Sequence, residues 1–298
     1  MDPVIWQARP SEPLRAPVLL AAWQGWNDAG EAASNAVSFL AEAYDAQDVA
    51  RIDPEEFHDF TETRPTVRLT DDLARVIDWP EAVFQLARVP HHPHDLVFLH
   101  AHEPQMRWRT YCATVIGVAR ELGCAMVVTI GSLLGDVPHT RPTPITGVAH
   151  DPLLAARLGL VRSRYEGPTG IVGVVHEALA HNDLPSASLW ASVPHYVSAT
   201  PSPVATLALV NRVSQLLGLS PNVDDLVEAS AEYRHEIDDV VDGDSDAEDY
   251  VRQLEARADD DDDGEGRPDD DEPLRFAAAD ELATEAERFL RDQGGRSR

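Results

Sequence analysis

Three short apolar runs, Pro17–Ala22 (PVLLAA), Leu96–His100 (LVFLH) and Met126–Leu134 (MVVTIGSLL), interrupt a chain otherwise rich in charge. Continuous apolar stretches of this length, bounded by polar turns, are the pattern of strands covered on both faces. A fourth run, Ala187–Val193, is also strand-like and ends on Pro194-His195-Tyr196. Between them lie stretches with helical periodicity: the Ala-rich Ala29–Ala43, which Asp28 is placed to cap, and Arg107–Leu122, with Tyr111, Val115, Val118 and Leu122 at helical spacing and Gly123 as a stop. Strands alternating with helices predict an α/β domain of three layers, α/β/α. Weaker strand signals fall at Val49–Ile52, Phe57–Phe60, Thr66–Leu69 and Val83–Leu86.

The charge is unevenly spread. Residues 224–298 hold 28 acids against 9 arginines, and residues 1–223 hold 24 acids against 15, for a total of −28. The expected organisation is a core domain over residues 1–221, an acidic helical appendage over 222–258, a disordered acidic linker over 259–273, and a terminal helix and tail over 274–298. Nucleic acid is disfavoured as a partner, because phosphate binding needs clustered basic side chains. All 24 basic residues are arginine, so a lysine-bearing phosphate loop, a lysine Schiff base and a lysine general base are excluded. Neither a signal sequence nor a membrane span is read, and the expected location is the cytoplasm. Cys112 and Cys124 read as small core residues rather than as a disulfide or metal pair.

The residues with chemical potential follow the strands, where ligands of α/β sheets tend to sit. They are Trp26, Asn27 and Asp28 after the first strand, Glu103 after Leu96–His100, His139 and Arg141 after Met126–Leu134, and His195 and Tyr196 after the last. As one pocket they would bring Asp28, Glu103 and Arg141 together, with Arg141 paired to Glu103 or Asp28. His100 and His102 share a strand face beside Glu103, a spacing too unspecific to predict a metal, and neither a metal nor a cofactor is expected. No GxSxG elbow surrounds Ser188, Ser192 or Ser198, so no catalytic residue is assigned. Gly167, Gly170 and Gly173 open a helix, and tight packing accounts for them better than a phosphate turn does.

Three ordered segments carry a family resemblance: Gly25-Trp26-Asn27-Asp28-Ala29-Gly30, Asp136-Val137-Pro138-His139-Thr140-Arg141-Pro142, and the stretch from Tyr165 to Ala208, with Glu103-Pro104 and Trp108 between them. The chain resembles the proteasome assembly chaperone 2 family in its actinobacterial form. That resemblance implies a phosphorylase/hydrolase-like architecture with a mixed central sheet. It also implies a non-catalytic assembly or scaffold role, self-association as a homo-oligomer with a trimer preferred, and contact with other proteins such as proteasome-related components. The alternative is a small-molecule-binding protein or enzyme using the strand-end residues. Val204, Leu207, Val210, Val213, Leu216 and Leu217 give one helix a wide apolar face, to be covered either by another copy or by the sheet and the helix after Asp224.

Overall fold

The computed structural model describes residues 3–70, 72–161, 163, 165–197 and 201–263. Ten strands run β1 (Val4–Trp6), β2 (Val18–Gln24), β3 (Gln47–Ile52), β4 (Thr66–Leu69), β5 (Arg75–Asp78), β6 (Ala82–Ala87), β7 (Leu96–His102), β8 (Met126–Gly135), β9 (Ile145–Ala149) and β10 (Ser186–Pro194). The helices are α1 (Ala32–Ala43), α2 (Trp108–Glu121), α3 (Pro152–Leu158), α4 (Ile171–His181), α5 (Pro203–Leu217), α6 (Asp224–Val241) and α7 (Ser245–Asp263). Eight strands form one sheet in the order β1-β3-β6-β7-β2-β8-β10-β9. Its centre, β7-β2-β8-β10, is parallel, and both flanks are antiparallel. The sheet is therefore mixed and lies between two helical layers.

Why β2 reads as continuously apolar is visible in its packing. Leu20 and Ala22 face one core with Phe98, Val128 and Leu189, covered by Val37 and Leu40 of α1 and Leu209 and Val213 of α5. Leu19, Ala21 and Trp23 face a second core with Val97, Leu99 and Val127, covered by Tyr111 and Val115 of α2 and Val172 and Val175 of α4. Each alternate side chain finds its own layer. Among the described residues no helix is long and apolar enough to cross a membrane.

One expectation is corrected. Phe57–Phe60 is not a strand: Asp53 accepts a hydrogen bond from the Glu55 amide (2.9 Å), Pro54 starts a single 3-10 turn, and Phe57 ends it as a buried anchor. Of the two covers open for the apolar face of α5, the structure shows the one inside the chain, made by α1, β9, β10 and α6. The helix α7 extends to Asp263, with Glu255 and Asp259 paired to Arg141; residues from 264 onward, with most of the expected linker and the expected terminal helix, lie outside the described residues.

Candidate functional site

The parallel strands end side by side, and their register decides which loops meet. Gln24 pairs with His102, so the turn after β2 lies against Glu103. Gly135 pairs with Pro194, so the loop after β8 lies against His195. Between β2 and β8 the ladder stops at Ala21–Thr129 and the strands part, leaving only an isolated bridge from Asp28 to Ser132. The eight candidate residues accordingly fall into two clusters rather than one pocket.

The first cluster holds Trp26, Asn27, Asp28 and Glu103. The Glu103 carboxylate accepts from the Ile171 amide at the start of α4 (2.8 Å) and from the Trp26 amide (3.3 Å). A carboxylate at a helix N-terminus is held by free amides and the helix dipole together. Asp28 caps α1 one turn later than its position suggests, because a 3-10 turn at Ala29–Glu31 intervenes. Its carboxylate accepts from the amides of Ala33 (2.8 Å) and Ser34 (3.1 Å) and from the Ser34 hydroxyl (2.6 Å). Burial raises its pKa above the usual aspartate value, and those three donors work against the rise. The Asn27 carbonyl accepts from Ser132 and so ties the turn to β8. Trp26 alone points outward, at 51% exposure.

Two glycines make this cluster possible. Gly25 turns at φ +139°, with Glu103 packed against its α-carbon. At Gly170 a Cβ would stand 2.0 Å from Asn27 Oδ1 and 2.8 Å from Glu103 Oε1. The Gly-rich run in the sequence signalled this position, though not what presses on it. Replacing Gly170 by valine is expected to cost about 1–3 kcal/mol as overpacking. A denaturation midpoint within error of the parent would contradict this reading. Beside the cluster an open cleft of about 410 Å³ is lined by Gln24, Gly25, Asp28, Glu31, Thr63, His102, Glu103 and Gln105.

The second cluster holds His139, Arg141, His195 and Tyr196, and the helical appendage closes over it. The Tyr196 hydroxyl lies 2.7 Å from His139 Nδ1 and accepts from the His139 amide (2.8 Å), while Nε2 lies 3.0 Å from Asp238 of α6. With one hydroxyl proton available, Tyr196 donates to Nδ1 and the Nε2 proton goes to Asp238, which fixes the tautomer. Burial pushes the Tyr196 phenol up to about 12, so it stays a donor. His195 lies 3.5 Å from Asp136 and 3.3 Å from the hydroxyl of Tyr250 on α7. Ile237, Val241 and Val251 complete the seat with Tyr196, Val197 and Tyr233.

Arg141 grips α7, donating from Nε and Nη2 to both oxygens of Asp259 (2.8 Å each) and from Nη1 to Glu255 (3.1 Å), which also accepts from Thr140 (2.6 Å). The expectation that Arg141 meets Asp28 or Glu103 is thus wrong, while the expectation of a carboxylate partner is right. A two-pronged guanidinium–carboxylate contact fixes geometry more than a lysine would. Arg141→Ala is expected to speed amide exchange across α7 while leaving the central strands protected, and rising salt is expected to do the same to the parent. Equal exchange in α7 with and without the arginine would count against the clamp.

No group of three or more His, Cys, Asp or Glu side chains placed to hold a metal occurs among the described residues. His100 instead meets Ser38 of α1 (3.2 Å), and burial pushes its pKa down to about 4. Cys112 and Cys124 are buried and unpaired, with thiol pKa values pushed up by burial.

The model of the PAC2 family matches residues 22–241. A PAC2 family protein from Streptomyces avermitilis is 45% identical, with a TM-score of 0.75 over 79% of this chain and 99% of that one. A proteasome-assembly chaperone homologue from Mycobacterium tuberculosis is 40% identical, with a TM-score of 0.72 over 78% of this chain and 99% of that one. An archaeal proteasome activator from Pyrococcus furiosus shares the fold at 16% identity, with a TM-score of 0.64 over 80% of this chain and 99% of that one. No curated protein matches the chain. The family match spans most of the sheet, both strand-end clusters and α6: the chain belongs to the PAC2 family.

Proposed function

We propose that the protein is a non-catalytic, chaperone-like scaffold that works in the cytoplasm, associates with itself as a homo-oligomer, a trimer for preference, and binds proteasome-related components. The observation that carries this reading is how the strand-end side chains are used. Asp28, Glu103, His139, Arg141, His195 and Tyr196 are each engaged by backbone amides, by one another or by the appendage. A nucleophile or general base must instead stand within reach of a substrate atom. The names of the Mycobacterium and Pyrococcus relatives support the partner class.

Sedimentation velocity of the protein mixed with purified proteasome subunits tests the partner; comigration is expected, and independent sedimentation at micromolar concentration would defeat it. The 410 Å³ cleft favours the second reading, a small-molecule site at the ends of β2 and β7. A thermal-shift screen against nucleosides, phosphate and divalent metals separates the two, since a specific ligand at one hundred times its Kd adds about 2.7 kcal/mol. The scaffold reading expects no shift.

A further inference from the structure

Strands β4 and β5 stand apart from the main sheet as a two-stranded ribbon. Val67 lies across from Ile77 and Leu69 across from Arg75, so these four share a face, which Trp79 extends two residues beyond Ile77. The opposite face carries Thr66, Arg68, Val76 and Asp78, with Val76 half-buried across from Arg68 and Arg68 paired to Asp78 at 2.8 Å. This alternation is that of a sheet with one buried face. Yet Val67, Leu69 and Ile77 are 51%, 61% and 50% exposed, and only Trp79 has a ring neighbour, Phe60. A lone two-stranded ribbon is marginal in water, so a face patterned for burial implies a cover beyond the described residues.

Two charges say what that cover is. Arg75, on the apolar face, makes no ion pair among the described residues, although the chain carries 52 acids. The root of the ribbon adjoins the cleft at the end of β2: Gln105 donates to Thr63 (2.9 Å), and both line it. On that cleft Glu31 is exposed, its carboxylate likewise without an ion pair or hydrogen bond among the described residues, close in the chain to the outward-facing Trp26. One end of the molecule thus offers an apolar face bearing a free cation beside an acidic rim bearing an exposed aromatic.

We propose that the β4–β5 face docks on a second copy of this chain, its apolar stripe covering Trp26 and the cleft rim of that copy, with Arg75 meeting the copy's Glu31. The inference deepens the self-association proposed above by naming its surface. Because both halves of the contact sit at one end of each chain, a two-fold can satisfy both at once, and a head-to-tail repeat whose rotation closes gives a small ring. Burying the stripe supplies affinity, and the charge pair sets register.

Light scattering of the full chain at micromolar concentration tests it. The parent is expected at a multiple of 32.7 kDa. Leu69→Asp combined with Ile77→Asp is expected to give the single-chain mass with unchanged circular dichroism. Arg75→Glu alone and Glu31→Arg alone are each expected to raise the dissociation constant tenfold or more, and the two together to restore the parent mass. An oligomer untouched by the ribbon substitutions, or a double reversal that stays as weak as either single one, overturns the inference and leaves self-association standing. A monomeric parent overturns both. The charge variants are at exposed positions and decide the matter even if the aspartate pair fails to fold.

Discussion

Replacing Trp23 by alanine is expected to remove about 4–8 kcal/mol of stability, much of what a domain has to lose. Trp23 is 1% exposed at the end of β2, in the core formed with α2 and α4. Truncating a buried tryptophan costs about 3–5 kcal/mol through lost burial and the cavity left behind. A second loss follows from chemistry. The indole Nε1–H donates to the Tyr111 hydroxyl (2.9 Å), and Tyr111 is itself 1% exposed, edge-on to the Phe57 ring at 5.3 Å. Without the indole that hydroxyl loses its Trp23 partner inside an apolar core, at a further cost of about 1–3 kcal/mol. Trp23→Phe weights the two losses differently, since it removes the donor entirely but keeps an aromatic ring in most of the space. Urea denaturation gives the answer: an alanine variant within 2 kcal/mol of the parent, or a phenylalanine variant as unstable as the alanine one, would show that Trp23 does not hold this core as described.

What the sequence disclosed follows the range of the physics. The strands β2, β7, β8 and β10 are legible because burial on both faces writes itself as an unbroken apolar run. The partner of β4 is not, since β5 (RVID) is short, half charged and leaves no buried trace. Strand-end residues are found by position, but which of them meet depends on sheet order and on where β2 and β8 part. That is set by pairings far apart in the chain, and it splits Asp28 and Glu103 from His139 and Arg141. Arg141 meets Asp259, 118 residues away, in a stretch whose run of like charge reads as solvated. One cation on the body turns that reading around for the first carboxylate of the run, Asp259. The glycine signal at Gly170 marked a close approach, while the groups approaching, Asn27 and Glu103, lie more than sixty residues earlier.

Stability is expected to fall steeply as pH drops from about 6.5 toward 4, and two histidines, His176 buried and His100 half-buried, carry most of the slope. His100, between β7 and α1, and His176, inside α4, each have a pKa pushed down to about 4, first by burial. Each also has a buried ring nitrogen without a hydrogen-bond partner among the described residues, His100 Nε2 and His176 Nδ1. Around His100 stand Ser38 and the opposing charge of Asp48, which only partly offsets burial. Against His176 the ring of His150 stacks at 4.5 Å, itself paired to Glu177, and its charge lowers His176 further. The unfolded chain therefore binds protons that the folded chain refuses between these two values. Stability is complete above the unfolded pKa and is lost as pH falls through the window, levelling off below the folded value. A shift from 6.5 to about 4 corresponds to roughly 3 kcal/mol for each histidine. His58 and His102, also lowered by burial, act in the same direction. Asp28 acts against them, because its folded pKa is raised and its contribution to stability is lost as pH rises. Asp95 is lowered, since its bonds to Arg15 outweigh burial, and its contribution is lost only below the ordinary aspartate range, at the acid end of the titration. Urea titrations at half-unit steps from pH 7.5 to 4 test the assignment: His100→Gln and His176→Gln should each flatten the acid limb, and the double variant should flatten it most. A parent whose stability is level across that range, or a double variant as acid-sensitive as the parent, would remove the histidines from the account.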